Sequence, residues 1–156
     1  MKKNKDQLPT IDNRRARFDY AIEDTLECGI MLMGSEIKSV RAGEVQLSDG
    51  WVKVSTEPPT LELFNVNIGA YAPAALIAHK PKRARILLAN KAEILKLAKK
   101  MDKGATIVPL KMYFKGAWAK VLIGLGHGKK AHDKRNTIAT REAKRDIDRA
   151  MSRRAK

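Results

Sequence analysis

The chain has 156 residues, which is enough for one domain with a genuine core and too few for two comfortable ones. Its 32 Lys and Arg residues against 17 Asp and Glu residues give a formal net charge of +15, so we expect a polyanionic partner: nucleic acid, an anionic membrane surface or an acidic protein. A membrane span, a secretory signal and an internal disulfide are excluded by the short apolar runs, the polar N-terminus and the single Cys28, so we expect a cytoplasmic protein.

The first third of the chain predicts a strand and a short helix behind a flexible N-terminal segment. Residues 1–12 are polar and are expected to be flexible, and a basic cluster at 13–17 follows them. Alternating apolar residues over 18–30 predict a half-exposed strand. A short helix is predicted over 36–41, between a serine and a glycine that suit its two ends.

The middle of the chain predicts three more strands. Two lie at 51–55 and 61–68, and the loop between them, 57–60, contains paired prolines that supply no ladder donors. The residues expected to face inward, with a bulge that breaks the phase, are Leu61, Leu63, Val66 and Ile68. Residues 69–84 predict a long surface loop, and a strand is expected at 85–88.

A helix and a hairpin complete the predicted domain. Asn90 and Glu93 resemble a capping box before apolar residues at helical spacing. Apolar runs at 106–114 and 118–125, joined by a short turn with a glycine, predict a hairpin. The pattern predicts an α+β, mainly β domain over 13–125, an OB-fold-like antiparallel β-barrel with two or three short helices.

Residues 126–156 predict a flexible basic C-terminal tail. From position 129 onward the tail carries 11 Lys or Arg residues against 4 Asp or Glu residues, and its apolar stripe is narrow. Burial of two large side chains contributes roughly 1.5–3 kcal/mol each. Backbone ordering costs about 1–2 kcal/mol per residue. We therefore expect the tail to be disordered alone and helical on a partner.

Enzymatic signatures are weak throughout. Cys28 lies next to Glu27, whose charge disfavours a thiolate, and the three histidines lack metal-ligand spacing. The glycines at 124–128 fail the Walker test, because position 123 is isoleucine and position 130 is lysine. They are either a flexible hinge that brings lysines to phosphates or a plain solvated linker. The sequence thus predicts a protein that is not an enzyme and needs no metal or cofactor.

Two arginine-rich clusters, at 13–17 and 80–85, favour RNA as the polyanion. Arginine binds phosphate in a bidentate manner and stacks on bases. Since aromatic residues make up 5% of the chain, folded RNA is favoured over a single-strand stacking platform. On composition alone, a ribosomal or ribosome-assembly protein that binds ribosomal RNA is the alternative.

Four motifs, in order along the chain, resemble the SmpB family of bacterial SsrA-binding proteins. They are NRRAR at 13–17, GSEIKSVRAG at 34–43, VPLKMYFK at 108–115 and GKKAHDKR at 128–135. The resemblance implies a monomeric adaptor of trans-translation whose barrel holds the tRNA-like domain of transfer-messenger RNA and delivers it to stalled ribosomes. It also implies that the tail senses the empty mRNA channel and folds there as a helix.

The resemblance and the basic clusters together give the candidate site residues. The RNA-binding candidates are Asn13, Arg14, Arg15, Arg17, Glu27, Lys38, Arg41, Lys82, Arg83, Arg85 and Leu88. The ribosome-binding candidates in the tail are Gly128, Lys129, Lys130, His132, Asp133, Lys134 and Arg135. Lys80 and His127 depart from the family pattern, which leaves the contacts of their loop and their glycine-rich segment open.

Overall fold

The computed structural model describes residues 7–71, 79–101 and 104–155, which form nine strands and four helices. The strands are β1 Ile11–Asp12, β2 Tyr20–Ile30, β3 Val45–Gln46, β4 Trp51–Thr56, β5 Pro59–Phe64, β6 Asn67–Ile68, β7 Arg85–Leu88, β8 Ala105–Lys115 and β9 Trp118–Gly128. The helices are α1 Arg14–Asp19, α2 Gly34–Arg41, α3 Lys91–Lys99 and α4 Ala131–Arg154. No helix in the described ranges is long and apolar enough to span a membrane.

Six strands close into an antiparallel ring in the order β8, β4, β5, β7, β2, β9, because β9 pairs again with β8. The first strand, β1, adds to β8 outside this ring, and β3 pairs separately with β6. The β8–β9 hairpin turns at Gly116, whose φ of +61° suits glycine. The predicted α+β, mainly β class is therefore confirmed.

The core fills the inside of the ring. The four residues predicted to face inward all have no exposed surface, and the phase breaks at Asn65, whose φ is +57°. One side of the core is covered by α3, which buries Ile94 and Leu97 against β4 and β5. Apolar residues of β8 and β9 complete the core: Ile107, Met112, Val121, Ile123 and Leu125.

The N-terminal prediction needs correction. Residues 11–12 belong to β1 and pair with β8, so the predicted flexible segment does not extend to residue 12. The basic cluster forms most of helix α1, and β2 begins at Tyr20, not at residue 18. Pro59 was expected in a loop but begins β5, since the first residue of a strand tolerates a proline.

The predicted boundary of the tail also moves. Strand β9 continues to Gly128 and pairs with the first residues of β2, so residues 126–128 belong to the ring. A Cβ atom at Gly126 would lie 2.3 Å from the carbonyl oxygen of Ala21, and one at Gly124 would lie 2.7 Å from Leu110 Cδ1. These glycines therefore permit close strand packing, and the hinge and linker interpretations are both wrong for this segment.

The predicted loop at 69–84 is described only at its two ends, because residues 72–78 lie outside the described ranges. Its second end is anchored to the domain. The His79 ring is buried, with Nδ1 2.8 Å from Ser35 Oγ and Nε2 3.0 Å from the Ile68 carbonyl oxygen. The strand predicted at 85–88 follows and is confirmed as β7.

Candidate nucleic-acid interface

The predicted RNA-binding residues do not form one patch. Glu27 and Leu88 lie toward one end of β2, whereas the basic cluster of α1 precedes its other end. Tyr20 and Gly29 are nine positions apart along β2, which corresponds to about 30 Å. A third group lies on α2 and before β7. The structure therefore offers several separate contact surfaces.

Glu27 and Leu88 lie on what we call the outer face, formed by Glu27, Leu88, Tyr113, Trp118 and Lys120. Register places Leu88 of β7 and Lys120 of β9 on either side of Gly29, and Tyr113 of β8 is opposite Lys120. Leu88 is 54% exposed and Trp118 is 76% exposed, so this surface presents large apolar groups to solvent. Both line a cleft of about 380 Å³.

Glu27 is held in place by neighbours on β8. The Tyr113 hydroxyl donates a hydrogen bond to Glu27 Oε2, and Lys115 Nζ lies 3.5 Å from Oε1. The Tyr113 hydrogen bond lowers the pKa of Glu27, and desolvation together with Glu27 raises the pKa of Tyr113 to about 12. The pair thus presents a fixed carboxylate, which suits base amino groups or a ribose 2′-hydroxyl.

Tyr113, Trp118 and Lys120 were not among the sequence-predicted site residues. Trp118 follows the hairpin turn, where an apolar strand predicts a core residue as readily as a surface one. Only the register of β9 against β2 brings Lys120 beside Gly29 and Leu88. The predicted hairpin could have indicated part of this arrangement, because pairing residues outward from its turn sets Lys120 opposite Tyr113.

Asn13 is buried and cannot contact RNA directly, which corrects its predicted role. Its Oδ1 accepts from the Ala16 N–H at 3.1 Å and caps α1. Its Nδ2 donates to the carbonyl oxygens of Leu47 and Pro109, at 3.0 and 2.8 Å. The side chain therefore joins α1 to the ring and positions the arginines that follow.

The three arginines of α1 are exposed. Arg15 lies between two carboxylates: its Nε is 3.4 Å from Asp19 Oδ2 and its Nη1 is 3.2 Å from Asp49 Oδ1. Arg14 and Arg17 extend from the same short helix into solvent. The helix places these cations at the end of β2 from which the tail also leaves.

Arg85 is a buried structural residue, which also corrects a prediction. It is 1% exposed. Its Nε donates to Glu36 Oε1 at 2.8 Å, and its Nη2 donates to the Pro81 carbonyl oxygen at 2.9 Å. Arg83 donates to the same carboxylate from its Nε at 2.8 Å and from its Nη2 at 2.6 Å. The Arg85 guanidinium is therefore not available to RNA, whereas the Arg83 side chain is 30% exposed and is already paired with Glu36.

Glu36 remains ionised within this cluster although it is fully buried. Burial by itself raises the pKa of Glu36, but hydrogen bonds from Arg83, the Met33 N–H and Arg85 together hold the pKa below its ordinary value. The carboxylate thereby connects α2 to the segment that precedes β7. Its ion pairs fix the backbone that carries Lys82.

Lys38, Arg41 and Lys82 remain as the exposed cations of the third group. The Lys38 ammonium lies 5.0 Å from the centroid of the Tyr71 ring, in cation–π geometry. The neighbouring Lys80 is also exposed. These side chains can contact phosphates, and no buried carboxylate competes for them among the ion pairs of the described residues.

The tail candidates begin at the end of β9 and continue into α4. Gly128 closes β9, and the Lys129 N–H donates to the Asp19 carbonyl oxygen at 2.8 Å. Lys134 Nζ lies 3.2 Å from Asp19 Oδ1 and 5.9 Å from the Phe18 ring centroid. The remaining tail candidates lie at the start of the helix: Lys130, His132, Asp133 and Arg135. His132 Nε2 is 3.0 Å from Asp133 Oδ1.

Beyond its first turns, α4 projects from the domain as a 24-residue helix with no buried residue. Ile138, Ile147 and Met151 are all exposed on it. The helix is the conformation expected on a partner, and the disorder of the tail in the free protein stays a prediction. His127, one of the departures from the family pattern, lies in β9 with its Nδ1 2.9 Å from Glu23 Oε1.

The enzyme interpretation finds no site in the described ranges. Cys28 is completely buried, and burial, with Glu93 and Glu27 nearby, raises its pKa to about 12. A thiolate is therefore not formed near neutral pH. The described residues contain no cluster of three His, Cys, Asp or Glu side chains that could hold a metal ion.

Comparison with known proteins supplies the family. Residues 10–153 match the family model described as SmpB protein. An SsrA-binding protein of Anaeromyxobacter dehalogenans strain 2CP-C is 51% identical over 142 residues, which cover 90% of this chain and 86% of the relative. An SsrA-binding protein of Synechocystis is 49% identical over 156 residues, which cover 98% of this chain and 100% of the relative.

A solved structure agrees with the sequence relatives. A chain from "tmRNA-SmpB: a journey to the center of the bacterial ribosome" matches with a TM-score of 0.67 and 44% sequence identity, covering 79% of this chain and 86% of that chain. The family model covers both the ring and nearly all of α4. This chain belongs to the SmpB protein family.

Proposed function

We propose that this chain is a non-enzymatic RNA-binding adaptor of trans-translation. It binds the tRNA-like domain of transfer-messenger RNA and brings that RNA to stalled ribosomes in the cytoplasm. The observation that carries the proposal is the match of residues 10–153 to the SmpB family, with SsrA-binding relatives about 50% identical over most of the chain. The solved relative is named for transfer-messenger RNA and for the ribosome.

The outer face is the surface we assign to transfer-messenger RNA. Leu88 and Trp118 offer apolar area to riboses and bases, and Glu27 offers a fixed acceptor. Lys120 and Lys115 supply positive charge beside that carboxylate. An RNA surface that exposes bases and 2′-hydroxyls can use all three chemistries together, whereas a bare phosphate backbone uses only the cations.

The exposed cations of α1 and α2 provide the sequence-independent part of the affinity. Arg14, Arg17, Lys38, Arg41 and Lys82 are exposed on these helices and on the turn before β7. Each phosphate contact releases counterions, so these residues make binding depend on salt concentration. They orient the RNA without selecting its sequence.

The tail is assigned to the ribosome. Its basic residues project on α4 away from the ring, and the helix also exposes the apolar side chains of Ile138, Ile147 and Met151. A cationic helix of this length, about 36 Å, can follow an RNA-lined channel. We infer that it senses the empty mRNA channel, while the ring retains transfer-messenger RNA.

The alternative, a ribosomal or ribosome-assembly protein, is not favoured. It rested on composition alone, whereas the family match spans the ring and the tail together. An assembly protein would bind ribosomal RNA through its folded domain. The adaptor instead binds transfer-messenger RNA through the ring.

The proposal is tested by measuring transfer-messenger RNA binding of Leu88→Ser beside Leu95→Ser. Both leucines are exposed, but Leu95 lies on α3, which packs on β4 and β5 and contributes no residue to the outer face. Loss of a buried leucine contact predicts about a tenfold or greater loss of affinity for Leu88→Ser and little change for Leu95→Ser. Equal affinities would remove the outer face from the interface, and failure of the unaltered chain to bind this RNA would overturn the proposed function.

A further inference from the structure

Trp51 presents an aromatic surface near α1 that the outer face does not include. It begins β4, and its indole stacks on Phe64 with ring centroids 4.7 Å apart and 15° between the planes. The side chain is nevertheless 43% exposed. It lines a cleft of about 470 Å³ to which Phe64 does not contribute. Phe64 therefore supports the indole by stacking, and Trp51 is the member of the pair that lines the cleft.

The rim of this cleft, which we call the Trp51 cleft, carries hydrogen-bond donors and acceptors, and it includes both positively and negatively charged side chains. Besides Trp51 the rim includes Arg15, Asp19, Ser48, Asp49 and Asn65. Asn65 Nδ2 donates to the Asp49 carbonyl oxygen at 3.1 Å, which fixes the amide at the rim. The Arg15–Asp49 ion pair is more than half exposed at both side chains, so a ligand can open it at little cost.

The walls of the cleft are already formed. A Cβ atom at Gly50 would lie 2.6 Å from Val66 Cγ2 and 2.8 Å from Pro109 Cγ, so the backbone before Trp51 packs directly on the core. Asn13, buried beneath the cleft, joins α1 to the ring through its three side-chain hydrogen bonds. A cleft of this size lies within the range of sites that bind small molecules.

The chemistry of the lining selects among ligands. Two carboxylates, Asp19 and Asp49, repel a phosphate group placed inside the cleft. A nucleobase has a flat face for Trp51 and an edge with both donors and acceptors for the rim. Arg14 and Arg17, exposed on the adjacent α1, lie outside the cleft where the flanking phosphates would be.

We propose that the Trp51 cleft binds one unpaired purine base of RNA, stacked on Trp51 with its edge toward Asp49 and Asn65. A purine covers more of the indole than a pyrimidine does. The inference rests on the proposed function, which makes RNA the partner. Transfer-messenger RNA and ribosomal RNA are both sources of such a base, and the two arms of the test separate them.

The test measures binding of Trp51→Ala and Trp51→Phe to transfer-messenger RNA in one arm and to ribosomes in the other. Loss of one stacked base predicts a loss of about 5- to 150-fold for Trp51→Ala in at least one arm. Trp51→Phe keeps a stacking ring and should retain most of the affinity. Since stacking releases no counterions, the salt dependence of Trp51→Ala binding should match that of the unaltered chain.

A second measurement leaves every residue of the Trp51 cleft unaltered, because its one substitution lies on the outer face. The chain has two tryptophans, so Trp118→Phe leaves Trp51 as the single indole fluorophore. Oligoadenylate should quench Trp51 fluorescence more strongly than oligouridylate of equal length. Absence of quenching by both oligonucleotides would overturn the inference.

The outcomes separate this inference from the proposed function. If the unaltered chain binds both RNA partners and Trp51→Ala binds each as well as Trp51→Phe does, the base-binding role is wrong and the adaptor role stands. If the unaltered chain binds neither transfer-messenger RNA nor ribosomes, the adaptor role itself fails. A loss confined to one arm identifies the RNA that supplies the base.

Discussion

Glu36 joins α2 to the strand β7 through one fully buried carboxylate. Replacing it by glutamine leaves Arg85 buried without a counter-charge, because Arg85 is completely enclosed as well. Removing one partner of a buried ion pair costs about 3–5 kcal/mol. We therefore predict that Glu36→Gln lowers the free energy of unfolding, measured by urea denaturation at pH 7, by about that amount. The exposed Glu44→Gln serves as control and should change it little.

The same carboxylate predicts a pH dependence. The pKa of Glu36 in the folded chain lies below its ordinary value of 4.5. The stabilisation by Glu36 is therefore complete above pH 4.5 and is lost as the pH falls through the lowered pKa. The difference in unfolding free energy between the unaltered chain and Glu36→Gln should shrink in that range. A difference that stays constant from pH 7 down to acid unfolding would contradict this account.

At the scale of single residues, the sequence shows which chemistry a side chain has, but not whether contacts within the fold already occupy that side chain. Arg85 and Asn13 both have suitable chemistry for RNA, yet each is buried and satisfied by partners distant along the chain. Glu27 and Leu88, which the resemblance suggested, are both exposed on their strands, and their contact with RNA stays a prediction. Tyr113 could not be, since its bond to Glu27 joins positions 86 residues apart.

Strand β9 depends on glycines that a hinge would not need. A side chain at Gly126 would meet the β2 backbone at Ala21, whereas a Cβ atom at Gly128 would meet nothing within 4 Å. We predict that Gly126→Ala destabilises the domain by about 1–3 kcal/mol or more, as overpacking does. Gly128→Ala is the matched control and should leave thermal unfolding almost unchanged. Similar, small effects of both substitutions would restore the hinge interpretation.

At the scale of elements, alternation over 51–55 made β4 predictable, and two apolar runs joined by a turn with a glycine made the β8–β9 hairpin predictable. Helix α1 was missed because its six residues carry no apolar periodicity. Its stability comes from tertiary structure, since Ala16 is buried and Asn13 supplies the cap. The tail pattern indicated a helix, and its narrow apolar stripe is exposed on α4 as expected.

At the scale of the whole molecule, the mainly β class and a closed arrangement of strands were predictable, but the strand pairings that close the ring were not. Closure depends on β8 pairing with both β4 and β9, and a register between distant segments leaves no local trace in the sequence. The charge distribution was more informative. Because the last 28 residues carry a large share of the excess charge, the sequence already indicated two parts with separate partners.

The ion pairs at Asp19 connect these two parts. Its carboxylate contacts Lys134 of α4 and Arg15 of α1, and Arg15 also contacts Asp49 at the Trp51 cleft. All four side chains are partly or largely exposed, so each contact is weak. The tail can therefore leave the ring at little cost.

Deleting residues 129–156 tests the separation of the ring from the tail most directly. The truncation ends at Gly128 and so keeps every β2–β9 pair. Transfer-messenger RNA binding and peptide tagging on stalled ribosomes are then measured with the same preparation. The account predicts that the truncated chain retains most of its affinity for transfer-messenger RNA and loses tagging. Parallel loss of both activities, or tagging that survives the deletion, would contradict it.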